Sequence, residues 1–124
     1  MSDFKKLLVW QKAHALALIA HRIAARIRGA QNATLRNQIT RAAQSIAANI
    51  VEGRGQRSEK DFARFLGYAL NSAAELEHHM IVARDISVVT ATDFDFVEEK
   101  VTEIRKMLYA LIARVSRSAT PARS

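Results

Sequence analysis

The chain has no cysteine, one proline and four glycines, and aromatic residues make up only 6% of it. Without cysteine there is neither a disulfide framework nor a thiolate metal site. So little proline and glycine leaves few turn-formers for a sheet protein, and the apolar set is rich in alanine, so helices are expected. No apolar run approaches the roughly 18 residues of a membrane span. The N-terminus lacks a basic region followed by an uninterrupted apolar core, so no signal peptide is expected and a cytoplasmic location is the default. What is present is 124 residues that are 49% hydrophobic, enough for one domain with a single core.

Positive charge is abundant and unevenly placed. The net charge is +7, with twelve Lys/Arg against four acids in residues 1–70 and seven against eight in residues 71–124. A first half at +8 and a second at −1 suits a polyanionic partner at one surface.

Four segments carry helical periodicity. The first, from about Trp10 to Arg28, has an apolar stripe of Ala13, Leu16, Ala20, Ile23 and Ile27, with Gly29 at its exit. The second, after Thr34 as N-cap, spaces Leu35, Ile39, Ala42, Ala43, Ile46 and Ile50 by threes and fours, and Gly53 is placed as its C-cap glycine. The third opens on Ser58-Glu59-Lys60-Asp61, a capping-box pattern with acids at the positive helix end, and buries Phe62, Phe65, Leu66, Ala69, Ala73, Leu76, Met80 and Ala83. The fourth, with Thr92 as N-cap and Asp95 three residues on, buries Val97, Val101, Ile104, Leu108, Leu111 and Val115. Short connections make neighbours antiparallel, so the expected fold is all-α, an up-down-up-down four-helix bundle over 1–116 with a flexible tail at 117–124. Helices one and two also carry Ala15, Leu18, Ile19, Ala24, Ala25, Ala47, Ala48 and Val51 outside the main stripe. A second apolar face predicts self-association.

Several stretches then resemble a known family: Leu7-Leu8-Val9-Trp10-Gln11-Lys12-Ala13, Gln38 through Ile46, Asn49-Ile50-Val51-Glu52-Gly53, and Ser58, Phe62, Phe65-Leu66 and Glu75-Leu76-Glu77. Together they resemble the four-helix bundle proteins of the 23S ribosomal RNA intervening sequences, to which the accessory proteins of diversity-generating retroelements are similar. The resemblance implies a cytoplasmic homopentamer. For the retroelement members it implies a basic surface that binds nucleic acid and a reverse transcriptase.

The candidate sites are read beside their plainer alternatives. Gly53-Arg54-Gly55-Gln56-Arg57-Ser58 leads into a helix N-terminus, where free N–H groups and two arginines suit an anion; the alternative is an ordinary turn using glycine at positive φ and Ser58 as cap. Glu75-x-x-His78 is half of a di-iron pattern without its second copy, so no metal and no cofactor are expected. Glu75 and Glu77 are expected to pair with arginines on a neighbouring helix or subunit. Asn49 shares the face of Ala42 and Ile46 and must be hydrogen-bonded. Trp10 is expected to anchor one end of the bundle, and Glu52 and Gly53 join these as structural or interface residues. No catalytic constellation is present.

The leading functional expectation is therefore a non-catalytic oligomer that binds RNA or DNA through phosphate contacts from Arg22, Arg26, Arg28, Arg36, Arg41, Arg54, Arg57, Lys60 and Arg64. Arg41 is the first of these expected to be ion-paired across the oligomer instead. The alternative is a protein-interaction ring with no role for nucleic acid, whose partner is a reverse transcriptase or another protein.

Overall fold

The computed structural model describes residues 3–119. After a 3-10 turn at Phe4–Lys6 come α1 (Leu8–Ala25), a second 3-10 turn at Ala30–Asn32, α2 (Ala33–Arg54), α3 (Glu59–Asp85) and α4 (Ala91–Ala119). Cross-helix pairs fix the directions. Lys12 meets Glu103 and Arg26 meets Asp93 between α1 and α4, while Arg105 meets Glu77 and Arg84 lies over Phe94 between α3 and α4. In each of these two pairs one number rises as its partner's falls, so α1 and α3 both run antiparallel to α4, and α2 packs between α1 and α3. One end of the bundle holds the N-terminal turn, the α2–α3 loop at Gly55 and the end of α4. The other holds the α1–α2 connection and the α3–α4 loop at Ser87.

The core is the set of stripes laid face to face. Every stripe residue named from the sequence is buried except Phe65, which is half-buried. Leu16, Ile39, Ile46, Ile50, Leu66, Leu76, Met80, Ile104 and Leu108 are the largest of those fully enclosed, with Val97 and Val101. Alanines occupy many buried positions of α1, α2 and α3, whereas α4 buries only Phe, Val, Ile and Leu. Large side chains from α4 thus fill space that small ones leave, which is how a close-packed interior reaches its density. The second apolar face is partly absorbed: Ala24 and Ala47 are buried, Ile19 and Val51 half-buried, and Ala15, Leu18, Ala25 and Ala48 exposed.

Three helix ends differ from the sequence expectation. First, α1 stops at Ala25, and Gly29 turns the chain at φ 97°. Arg36 Nη1 donates to the carbonyls of Ile27 and Gly29, both at 2.9 Å, and Asn32 Nδ2 donates to Arg28 O. Helix α2 therefore begins at Ala33, inside this bonded connection, and Thr34 is not its cap. Second, Thr90 rather than Thr92 caps α4, its Oγ1 accepting the Asp93 N–H at 3.0 Å. Both threonines precede an aspartate by three residues; starting at Thr90 places the Asp93 carboxylate 2.7 Å from Arg26 and buries Phe94 under Arg84. Third, Gly53 is not a C-cap: α2 continues to Arg54, and Gly55 follows at φ −82°. Ser58 does cap α3 as expected, accepting the Asp61 N–H at 3.1 Å. At the end of α3, Ser87 takes the left-handed conformation (φ 64°) so that Val88 and Ser87 donate to Ala83 O and Arg84 O, closing the last turn. Helix α4 passes residue 116 and reaches Ala119; the remainder of the expected tail, 120–124, lies outside the described residues.

Gly53 has a packing reason instead. A Cβ there would sit 2.8 Å from Phe65 Cβ and 3.0 Å from Phe62 Cδ1. Phe65 Cβ, and the Phe62 carbonyl oxygen at 3.3 Å, are fixed to the α3 backbone and cannot swing aside cheaply. In an open helix interior Gly→Ala would stabilise; Gly53→Ala is expected instead to destabilise by about 1–3 kcal/mol through overpacking. Urea denaturation checks this, and a midpoint at or above wild type would contradict it.

Between α3 and α4, Arg105 Nη2 donates to Glu77 Oε1 at 2.8 Å. Glu98 faces Glu77 across the same two helices, and a side-chain hydrogen bond between the carboxyls is the largest influence on both. That hydrogen bond, then burial and the Glu77 charge, push the Glu98 carboxyl up to about 7, while Glu77 is held low by the Glu98 hydrogen bond and by Arg105. Folded Glu98 keeps a proton that the unfolded chain releases above the ordinary carboxylate range, so its contribution falls as pH rises from there to about 7. Glu77 acts oppositely, contributing above the ordinary range and losing that contribution below it. Glu98→Gln should therefore gain stability over wild type as pH is raised from the acid side to alkaline pH, by about 1 kcal/mol at a partly solvated site. Paired urea titrations at the two pH values test this; a difference independent of pH would contradict the hydrogen bond between the carboxyls.

Candidate functional site

The fold sorts the charges by end rather than by half of the chain. Segments 3–11, 52–64 and 110–118 meet at the Gly55 end with eight Lys/Arg (5, 6, 54, 57, 60, 64, 114, 117) against four acids (3, 52, 59, 61), net +4. Segments 22–36 and 84–99 meet at the Ser87 end with five arginines (22, 26, 28, 36, 84) against five acids (85, 93, 95, 98, 99), net zero. The outer face of α4 from Asp95 to Glu103 adds a run of carboxylates beside the Ser87 end. The nine cations picked from the sequence therefore do not form one surface, and those at the Ser87 end face compensating charge.

Their individual environments divide them further. Arg26 is bound to Asp93, Arg36 is spent on the α1–α2 connection, and Arg64 donates to Asp61 at 3.2 Å and to Tyr68 Oη at 3.1 Å. Arg54 lies 5.9 Å from the Phe62 ring centroid and makes no ion pair among the described residues. Arg57 and Lys60 are exposed, also without a carboxylate partner among the described residues, and so are Arg22 and Arg28 at the far end. In the loop Ser58 caps α3, as the plainer alternative has it, but the glycine at positive φ which that alternative expected is absent from it. Its glycines use negative φ, Gly53 is buried, and Glu59 and Asp61 already stand at the positive end of α3. It acts as a mount from which Arg54, Arg57 and Lys60 project.

Arg41 lies midway along α2, on a polar groove of about 430 Å³ shared with Gln38, Ser45, Ser72, Glu75 and His79. Ser72 is only 5% exposed and is satisfied by Ser45, Oγ to Oγ 2.8 Å. Asn49 Nδ2 closes the same network by donating to Ser45 O at 2.9 Å and Ser45 Oγ at 3.1 Å. Asn49 is hydrogen-bonded as its position demanded, but from the flank of the core rather than within it. Burial and the neighbouring His78 lower the pKa of His79, against the pull of Glu75. Glu75 thus shares its groove with His79, while His78 is exposed. Among the described residues no group of three or more His, Cys, Asp or Glu side chains is placed to hold a metal ion, and no helix is long and apolar enough to cross a membrane.

Of the remaining structural residues, Glu77 pairs with Arg105 of the neighbouring helix, whereas Glu75 has no ion pair among the described residues. Exposed Glu52 contributes through its carbonyl, which accepts from Gln56 Nε2. Trp10 packs half-buried at the Gly55 end, edge to face with Phe4 at 5.1 Å and stacked on His14 at 4.9 Å. Sequence reasoning missed Ser72, Glu98, Tyr68 and Tyr109. Ser72 sits in the α3 stripe four residues before Leu76, and the tyrosines stand off their stripes; both signals were present. Glu98 gave none, since its partner lies on another helix.

Comparison with known proteins agrees with this architecture. A solved structure from Bacteroides thetaiotaomicron, described as a protein of unknown function from the S23 ribosomal protein family, is 27% identical with a TM-score of 0.79. The match covers 85% of this chain and 98% of that one. No curated protein matches the chain. A family model described as 23S rRNA-intervening sequence protein matches residues 5–110, nearly the whole bundle, and the chain belongs to that family.

Proposed function

We propose that this protein is a non-catalytic homo-oligomer that binds nucleic acid, structured RNA or an RNA–protein complex, through phosphate contacts at the Gly55 end. The observation that carries this is the charge imbalance there, with Arg54, Arg57 and Lys60 exposed and free of carboxylate partners among the described residues. Side chains of this kind neutralise phosphates and release counterions without reading bases. The family's description names 23S rRNA, which agrees with an RNA partner.

Fluorescence anisotropy against a structured RNA and a duplex DNA, across a salt series, tests the reading. Wild type should bind with a steep negative salt slope. Arg54→Ala/Arg57→Ala should weaken binding roughly tenfold or more and reduce the slope by about 1–2, one phosphate contact being lost per arginine. An absence of binding at low salt would leave the protein-interaction ring as the working function.

Self-association is supported by the α1–α2 surface, where Leu18 is 46% exposed and Ala15, Ala25 and Ala48 are exposed as well. A face of small residues around one large aliphatic side chain suits close contact with a second copy. The family resemblance supports a pentamer. Light scattering should give a mass several times 13.8 kDa for wild type, and Leu18→Glu should lower it by burying a charge at the contact. An unchanged mass in the variant would move the contact elsewhere.

A further inference from the structure

A groove of about 490 Å³ runs between α3 and α4, lined by Arg64, Gly67, Tyr68, Leu70, Asn71, Ala74, Arg105 and Tyr109. Two arginines and no carboxylate line it. Tyr68 and Tyr109 are 40% and 59% exposed, on facing helices. Tyr68 is held in place: Arg64 donates to its hydroxyl and lies 5.7 Å from its ring centroid, and Phe65 packs edge to face against it at 5.3 Å. Tyr109 has no ring contact or side-chain hydrogen bond among the described residues.

Gly67 is the second observation. It lies in the middle of the 27-residue α3, where glycine is destabilising relative to alanine. Among the described residues nothing lies within 4 Å of where its Cβ would be. The bundle's own packing therefore does not require a glycine, in contrast to Gly53. Its effect is to deepen the groove and bare the helix backbone between the two tyrosines.

We infer that this α3–α4 groove takes unpaired bases of a single-stranded nucleic acid, stacked on Tyr68 and Tyr109. Flat bases fit an open floor between aromatic faces, and stacking tolerates any base because each has a π-face. Arg64 and Arg105 are each bound to a carboxylate, Asp61 and Glu77, so they frame the groove and the phosphate contacts fall to the free cations beyond it. Lys60, one turn before Arg64 on α3, and Arg57 continue the cationic track, so the groove opens onto the surface proposed for phosphate contacts. A second copy of a chain that carries +7 is a poorer occupant for a groove that opens beside exposed Arg57 and Lys60. The inference rests on the nucleic-acid reading and adds to it a preference for unpaired strands.

The test compares a labelled single-stranded oligoadenylate with an RNA duplex of the same length, at fixed salt, by anisotropy on the full chain. Tyr68→Leu/Tyr109→Leu should weaken single-strand binding roughly tenfold or more, the effect of losing stacked bases, and leave duplex binding and the salt slope unchanged. Gly67→Leu fills the groove at a site with room for a side chain. It should lose the same single-strand affinity while its thermal midpoint stays at or above wild type, which separates the loss from unfolding. Unchanged single-strand affinity in both variants, with wild type binding both probes, overturns the groove and leaves the phosphate-contact reading intact. If wild type binds neither probe at low salt, both readings fall. A changed oligomeric mass in the tyrosine variant also overturns the inference, by assigning the groove to a contact between copies.

Discussion

The close approach of α2 to α3 at Gly53 is the constraint on which the rest of this structure depends. With Phe62 and Phe65 seated against a bare helix backbone, α2 and α3 are locked in register at the Gly55 end. The same register brings Ser45 opposite Ser72 further along, so the buried hydroxyl on α3 meets a partner instead of an unpaired, costly environment. Alanines on both helices continue the close packing, and the large side chains of α4 close the remaining side. Because α2 stays helical through Arg54, the loop to α3 is short and its basic side chains are carried at the surface on a rigid mount.

Much of the architecture was legible from periodicity alone. Stripes spaced by threes and fours named almost the whole core, since a helix in a bundle buries one face and little else competes with that pattern. Boundaries were less legible. Thr90 and Thr92 offer the same capping pattern, and only the tertiary pairing of Asp93 with Arg26 selects between them. Gly53 satisfies the sequence rule for a helix stop as well as the rule for close packing, and the aromatic residues that decide the matter lie on another helix. Phe94 joins the core with Arg84 of α3 lying over its ring, a cross-helix contact that periodicity along α4 does not register.

The candidate surface was legible in composition but not in place. Counting along the chain puts the excess of positive charge in the first half, yet an up-down bundle interleaves the two halves at both ends. Acids from the start of α4 come to rest beside the arginines of α1 and neutralise that end. Cations at the N-terminal turn, the α2–α3 loop and the end of α4 converge with half as many acids. Arg36 and Arg64, equal to Arg57 on paper, are committed to a backbone connection and to a tyrosine. Grooves between helices, which depend on what two stripes leave uncovered, are visible only once the helices are paired.

We propose that polyanion phosphates are held chiefly at the Gly55 end. The most direct measurement is lysine modification read by mass spectrometry, with and without bound structured RNA. Lys5, Lys6 and Lys60 should be protected, while Lys100, which lies over Phe96 on the acidic side of α4, should react as before. Protection of Lys100 with Lys60 unchanged would contradict the account, because it would place the nucleic acid on the face the fold has made acidic.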